Sequence, residues 1–293
     1  MNRRRVVVLG DVMLDVVVKP IGRVAPTSDT PANIRVTRGG SGANLAMALS
    51  ATGHDVLYVG AGGNDAARHV FVDALREGDV DAQLQSVDGS TGTVVAIIAS
   101  DGQRAMLSDR GANVMLSDTF VTEQLKETFD HLHVSGYLLL DVATRSVGIK
   151  ALAIARSRGV STSVDVCSVA PLVEVTPDVF LNATLSASML FANDEEALAL
   201  ASTTDLDAAL ESLAALFDEV VITRGERGAL AALGAERFTE LAVRVDVLDT
   251  TGAGDAATGT YLGARLHGDD PSMALRQAMA ASAGVLGGLG ALG

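Results

Sequence analysis

Val6-Val7-Val8-Leu9-Gly10-Asp11 is a continuous apolar run closed by a glycine and an acid. A strand with one wet face alternates apolar and polar residues, whereas a strand covered on both faces does not. This run therefore reads as a buried strand of a parallel sheet. Moving outward, Ser41–Leu49 followed by Gly53 reads as a helix, with Ser41 as its N-cap and Gly53 as its stop. Val56–Val59 is the next strand and Asp65–Arg76 the next helix. Further strands fall at His131–Val134, Val160–Val166, Met189–Ala192 and Glu219–Thr223, with helices at Thr144–Ser157, Glu195–Ala201 and Leu206–Phe217. This alternation predicts an α/β fold with a doubly wound, mostly parallel sheet flanked by helices.

Two regions interrupt the alternation. Asp15–Lys19 and Asn33–Thr37 are short extended segments among prolines, and Thr91–Ala99 with Arg104–Leu107, joined by Asp101-Gly102, read as a hairpin. None of the four fits a strand–helix–strand unit, so together they predict a small accessory sheet within 12–38 and 90–108. No internal repeat or low-complexity linker divides residues 1–293, which read as a single domain.

The 293 residues carry 36 acidic and 22 basic side chains, a formal charge of −14. That balance argues against a nucleic-acid partner, which calls for a basic face. Anionic small molecules stay open, since backbone N–H groups bind phosphate without basic side chains. Aromatic residues are 3% and Trp is absent, so the core must be built from Ala, Val and Leu. The one cysteine, Cys167, cannot form an internal disulfide, which fits a reducing, cytoplasmic setting. Arg3-Arg4-Arg5 precede an apolar run too short for a signal peptide, and the apolar tail after Arg276 is too short to span a bilayer. No membrane partner is expected.

Asp249-Thr250-Thr251-Gly252-Ala253-Gly254-Asp255 leads into a helical run to about Leu266. Glycines at a helix start expose successive N–H groups, an arrangement that the helix dipole makes favourable for anions. Asp255 in that first turn would be costly beside a phosphate unless it takes a proton from an attacking hydroxyl. The competing reading is a capping loop with an ordinary first-turn acid. Gly39-Gly40-Ser41-Gly42-Ala43-Asn44 is a second such cluster, and Gly10-Asp11 and Asp15 follow the first strand at the edge where α/β sheets bind ligands. A tight strand–helix connection with solvated acids accounts for these as well.

Together these stretches resemble a known family. Asp249–Asp255 with Ala256-Ala257-Thr258-Gly259 resembles the C-terminal signature of ribokinase-like (PfkB) carbohydrate kinases, and Gly39–Asn44 with Ala46 resembles the N-terminal one. Asn193-Asp194-Glu195-Glu196 is similar to the family's Asn-x-x-Glu motif, and Thr223-Arg224-Gly225 with Gly228 to its nucleotide-side turn. The resemblance covers essentially the whole chain. It implies transfer of a phosphoryl group from ATP to a hydroxyl of a sugar or sugar-like substrate, beneath a lid made by the accessory sheet. On that implication Asp255 is the base, and the N–H groups of Gly252, Ala253, Gly254 and Asp255 hold the charge developing on the phosphoryl group. Asp15, Gly40 and Asn44, with Asp11, hold substrate hydroxyls. Asn193 and Glu196 organise Mg2+ largely through water, Thr223, Gly225 and Gly228 lie near ATP, and Asp249 with Thr251 binds a monovalent cation, K+. Met13, Ser41 and Cys167 depart from the pattern: relatives carry asparagine at the first, often lysine at the second and often asparagine at the third. Ribose is thereby put in doubt, while other sugars and nucleosides remain open. A nucleoside kinase and a catalytically idle ligand-binding relative are the alternatives.

Gly60-Ala61-Gly62-Gly63 after a strand resembles a dinucleotide fingerprint, but Asp65 stands at the third glycine position, so a structural turn is the better reading. His131 and His133 share one face of a strand, at the sheet rim, without zinc spacing. Arg110 before Gly111-Ala112-Asn113 would reach substrate or serve the loop. The β-branched strands of the accessory sheet leave a face or edge in need of a partner, and a second copy would supply it, giving a homodimer through the lids.

Overall fold

The computed structural model describes residues 3–98, 104–246 and 251–287. Its strands are β1 (Arg5–Leu9), β2 (Met13–Pro20), β3 (Ala32–Gly39), β4 (Asp55–Gly63), β5 (Val80–Val87), β6 (Gly92–Ile98), β7 (Arg104–Asp109) and β8 (His131–Ser135), followed by β9 (Ser161–Asp165), β10 (Met189–Asn193), β11 (Glu219–Thr223), β12 (Ala229–Leu233) and β13 (Glu236–Glu240). Nine of these form one sheet in the order β13-β12-β11-β10-β9-β8-β1-β4-β5, parallel from β5 through to β11. The order reverses beside β1, where chain and sheet directions part and ligand clefts open.

Helices cover both faces, so β1 is buried on both sides. Val7 and Leu9 join Leu132, Val134, Leu190 and Ile222 in one core layer. Val6 and Val8 join Tyr58, Phe191, Val221 and Tyr261 in the other. The predicted accessory sheet is present in the order β3-β2-β6-β7, with β2 parallel to β6 and antiparallel to β3. The turn expected at Asp101-Gly102 lies outside the described residues.

Several expectations need correction. Gly60–Gly63 is not a turn, because β4 runs on through Gly63 paired with β5. β12 and β13 break the alternation, closing the far edge as an antiparallel hairpin. His131 and His133 lie mid-sheet rather than at a rim, 2% and 1% exposed. Their ring nitrogens bond Ser161 and Ser163 of the neighbouring strand at 2.7–2.9 Å. The helix Ser41–Ala51 is capped by Gly40, whose φ of +100° suits glycine, and Ser41 makes no cap bond.

That helix crosses Ala253–His267 very closely. A Cβ built on Gly259 would sit 2.6 Å from the Leu45 carbonyl oxygen and 2.9 Å from the Ala48 Cβ. Only glycine permits this approach, and the approach brings the two glycine-rich helix starts together. The far end of Ala253–His267 is tied to β11, where Arg265 makes two bonds of 2.8 and 3.1 Å to buried Glu219.

Candidate active site

A cleft of about 320 Å³ opens at the carboxyl ends of the parallel strands, beneath the accessory sheet. β2 supplies Met13 and Asp15, the start of helix Ser41–Ala51 supplies Ser41 and Asn44, and the start of helix Ala253–His267 supplies Gly252, Gly254 and Asp255. Asn193 and Thr223 come from the ends of β10 and β11, with Glu196 from the following helix Asp194–Leu200. The accessory sheet covers these groups with Val94, Met106 and Ser108.

Asp255 is held at both oxygens. Ser41 Oγ donates to its Oδ1 at 2.7 Å and Asn44 Nδ2 donates to its Oδ2 at 2.8 Å. Burial pushes the Asp255 pKa up, while the Ser41 and Asn44 hydrogen bonds pull it down, with a net rise. Asn44 is 7% exposed, and its Oδ1 is buried without a partner among the described residues. A buried acceptor left unmet is expensive, so this atom awaits a donor. Gly252, at φ +76°, starts the 15-residue helix Ala253–His267 with no side-chain cap, which leaves its first N–H groups open toward the cleft.

The charge lining the cleft is one-sided. Asp11, Asp15, Asp165, Glu196 and Asp255 face one base, Arg110. Arg110 is already engaged, bonding both oxygens of Asp11 at 2.8 and 2.9 Å and meeting Asp141 at 2.6 Å. Asp165 and Glu196 both have raised pKa values, first from burial and then, for Asp165, from Glu196 and Asp255. Glu196 also closes a capping box: the Asn193 N–H donates to its Oε2, and its own N–H donates to Asn193 Oδ1, each at 2.8 Å. One oxygen of Glu196 remains for other work. Among the described residues, no three metal-ligating side chains converge on one point. An acid-lined cleft with one open Glu196 oxygen fits an Mg2+ ion that keeps most of its water.

The structure gathers Asp11, Asp15, Gly40, Asn44, Asn193, Glu196, Thr223, Thr251, Gly252, Gly254 and Asp255 around this cleft. Ala253 is buried beside it rather than lining it. Gly225 and Gly228 stand outside the lining, in the turn after β11. Gly228 has a local reason to be glycine, since its Cβ would fall 2.0 Å from the Glu240 carbonyl oxygen. Asp249, expected to pair with Thr251 around K+, lies outside the described residues. The Asp11 carboxylate is occupied by Arg110. Sequence reasoning missed Tyr137 and Asp141. It also took Ser41 for a cap, and nothing within ten residues of Ser41 signals Asp255 as its partner.

The family model described as pfkB family carbohydrate kinase matches residues 3–292. The chain belongs to the pfkB family of carbohydrate kinases. It is 30% identical to an ATP-dependent ribose-1-phosphate kinase of Halopiger xanaduensis, over 98% of this chain and 93% of the relative. It is 27% identical to probable fructokinase-4 of Arabidopsis thaliana, over 88% and 81%. Among solved structures, an adenosine kinase from Sinorhizobium meliloti superposes with a TM-score of 0.89 at 25% identity, covering 99% of this chain and 96% of that one. A putative ribokinase II from E. coli, in complex with ATP and Mg2+, superposes at 0.88 with 21% identity, which speaks to the fold alone. The fold, with its large, mostly parallel sheet and smaller separate sheet, is the ribokinase-like one expected from the sequence. No helix among the described residues of this kinase is long and apolar enough to cross a membrane.

Proposed function

We propose that the protein transfers the γ-phosphoryl group of ATP to a hydroxyl of a sugar or nucleoside, with Asp255 as the general base. One observation carries this reading. Asp255 sits in the first turn of an uncapped helix and faces Asn44, whose buried Oδ1 lacks a donor. An acceptor placed there donates one hydroxyl to Asn44 and presents another to Asp255, with Asp15 and the Gly40 backbone holding its remaining polar atoms. As the hydroxyl attacks, Asp255 takes its proton, a role worth ~10²–10⁴-fold. The N–H groups from Gly252 to Asp255 meet the charge that spreads over the phosphoryl oxygens. Thr223 lies on the nucleotide side, with Gly225 and Gly228 beyond it. Asn193 and Glu196 would hold magnesium through water, and the bound ion would supply the positive charge that the described lining, whose one arginine is paired with Asp11 and Asp141, does not offer to phosphate. Met13, Val94 and Met106 line the cleft with apolar groups that would exclude bulk water once the accessory sheet closes over bound substrate. The kinases of ribose 1-phosphate, fructose and adenosine among its relatives support an acceptor of this class.

The outward face of the accessory sheet supports a homodimer. Strand alternation turns Asp15, Val94 and Met106 to the cleft, and turns Val16, Ile34, Val36, Val95, Ile97 and Leu107 away from it. Ile34, Val36 and Leu107 are 63%, 59% and 61% exposed. A second copy of this sheet covers them.

An ADP-release assay across a panel of sugars and nucleosides tests the reading. Acceptor-dependent ADP formation with at least one compound is the expected result. ATP and an acceptor that both bind in calorimetry, yet give no ADP together, would contradict it and favour an idle binding relative.

A further inference from the structure

We propose that Ser41 is a positioning residue for phosphoryl transfer, whose hydroxyl holds the Asp255 carboxylate in the orientation that receives the acceptor's proton. This rests on the reading of Asp255 as the base. A capping serine would accept a bond from an N–H two or three residues on. Here Gly40 occupies the cap position, and Ser41 Oγ instead donates at 2.7 Å to Asp255 Oδ1, 214 residues away in the chain. The anchor for that bond is stiff. Gly40, at φ +100°, packs its Cα so tightly on the Asp11 backbone that a Cβ would fall 2.3 Å from the carbonyl oxygen. The start of the helix therefore cannot slide.

One turn on, Asn44 takes the other oxygen of Asp255 at 2.8 Å. Two donors from one helix thus grip both oxygens and fix the plane of the carboxylate. Their roles differ. Among the described residues, Asn44 keeps an unpartnered, buried Oδ1 for the acceptor, whereas Ser41 Oγ has beyond Asp255 a 3.8 Å contact with Cys167 Sγ. Ser41 acts through Asp255.

Among the described residues, the other groups facing Asp255 make no hydrogen bond to its carboxylate. Asp165 ends β9 and Cys167 follows it, Glu196 stands on the helix Asp194–Leu200, and Tyr137 on the helix Gly136–Leu140. None carries a positive charge, and Arg110 is committed to Asp11 and Asp141. Against burial, which raises the Asp255 pKa, Ser41 is the first of the two hydrogen-bond donors that lower it. Removing that donor makes the carboxylate harder to ionise.

The test is kcat against pH for Ser41→Ala, with saturating ATP and the acceptor found in the panel. A fall of ~10-fold at neutral pH is expected, and the acid limb should move up by about one pH unit, the equivalent of tenfold in the ionisation equilibrium. Acceptor KM and ATP Kd should stay within about twofold, as a group acting through the base requires. Ser41→Cys, of similar size but a weak donor, should move the limb the same way, and Ser41→Thr should keep it in place. An acid limb that superimposes on that of the unaltered protein would overturn the inference. So would a raised acceptor KM with kcat unchanged, which marks a substrate contact. Asp255→Asn in the same assay separates the two claims. Normal turnover there removes the base itself, whereas a dead Asp255→Asn beside an unmoved Ser41→Ala limb removes only the role of Ser41.

Discussion

Gly259→Ala adds one methyl group where the two site-bearing helices touch, and it leaves every side chain in the cleft unchanged. The added Cβ would meet the Leu45 carbonyl oxygen at 2.6 Å, Ala48 Cβ at 2.9 Å and the Leu49 nitrogen at 3.1 Å. Two of these are backbone atoms, which cannot rotate away. Restoring ordinary contact needs the helices to part by roughly 0.8 Å. Overpacking of this kind costs about 2–3 kcal/mol, and the better helix propensity of alanine returns about 1 kcal/mol. The net loss of about 1–2 kcal/mol should lower Tm by ~2–4 °C in a chain of this length. The functional loss should be larger. Gly259 lies one turn from Asp255, so parting the helices pulls that carboxylate from Ser41 and Asn44, and a misplacement near 1 Å can cost ~10²-fold in rate. Calorimetric melting and kcat are measured side by side with Gly284→Ala, whose Cβ meets nothing within 4 Å. Gly284→Ala should keep kcat and raise Tm slightly. A Gly259→Ala protein with unaltered kcat and Tm would refute the view that this helix contact sets the site.

Burial holds the His131 and His133 pKa values down to about 3, far below the usual range. The unfolded chain binds protons below ~6.5, so stability is complete above that pH and falls as pH drops toward 3, by up to ~1.4 kcal/mol per unit for each ring. The urea midpoint should therefore fall between pH 7 and 5, and His131→Asn with His133→Asn should flatten the decline. Arg265→Met leaves buried Glu219 without its cation and held only by the Tyr261 hydroxyl among described side chains, a change that costs up to ~3–5 kcal/mol and should appear as a drop in denaturant midpoint; a midpoint change worth under about 0.5 kcal/mol would contradict it. If the proposed lid-to-lid dimer forms, Ile34→Asp with Leu107→Asp should turn it into a monomer by light scattering, and a dimeric mass unaffected by the pair would contradict the lid contact.

What the sequence revealed depended on whether the signal was local. β1 was legible because burial on both faces leaves an unbroken apolar run, and the accessory strands because they fit no strand–helix–strand unit. Gly60–Gly63 reads from sequence as a turn because it follows a strand like a dinucleotide fingerprint but has Asp65 at the third glycine position. Its reason is tertiary: a Cβ on Gly60 would fall 2.7 Å from the Gly10 carbonyl oxygen, and one on Gly63 would fall 2.4 Å from that of Gly89. The β12–β13 hairpin went unread because Ala229–Leu233 is alanine-rich and carries weak strand propensity. The strand alternation of His131 and His133 was visible, but their serine partners, some thirty residues on, were not. The glycine clusters marked both halves of the cleft. The pairings that join them, Ser41 with Asp255 and Asp11 with Arg110, span 214 and 99 residues, and no local pattern encodes them.

The central claim is that Asp255 takes the proton of the attacking hydroxyl. Single-turnover transfer from γ-labelled ATP to the identified acceptor, measured for Asp255→Asn, tests it most directly. The account predicts a rate at least ~10²–10⁴-fold lower, with ATP Kd and melting temperature close to those of the unaltered protein. Transfer within a few-fold of the unaltered rate would contradict it.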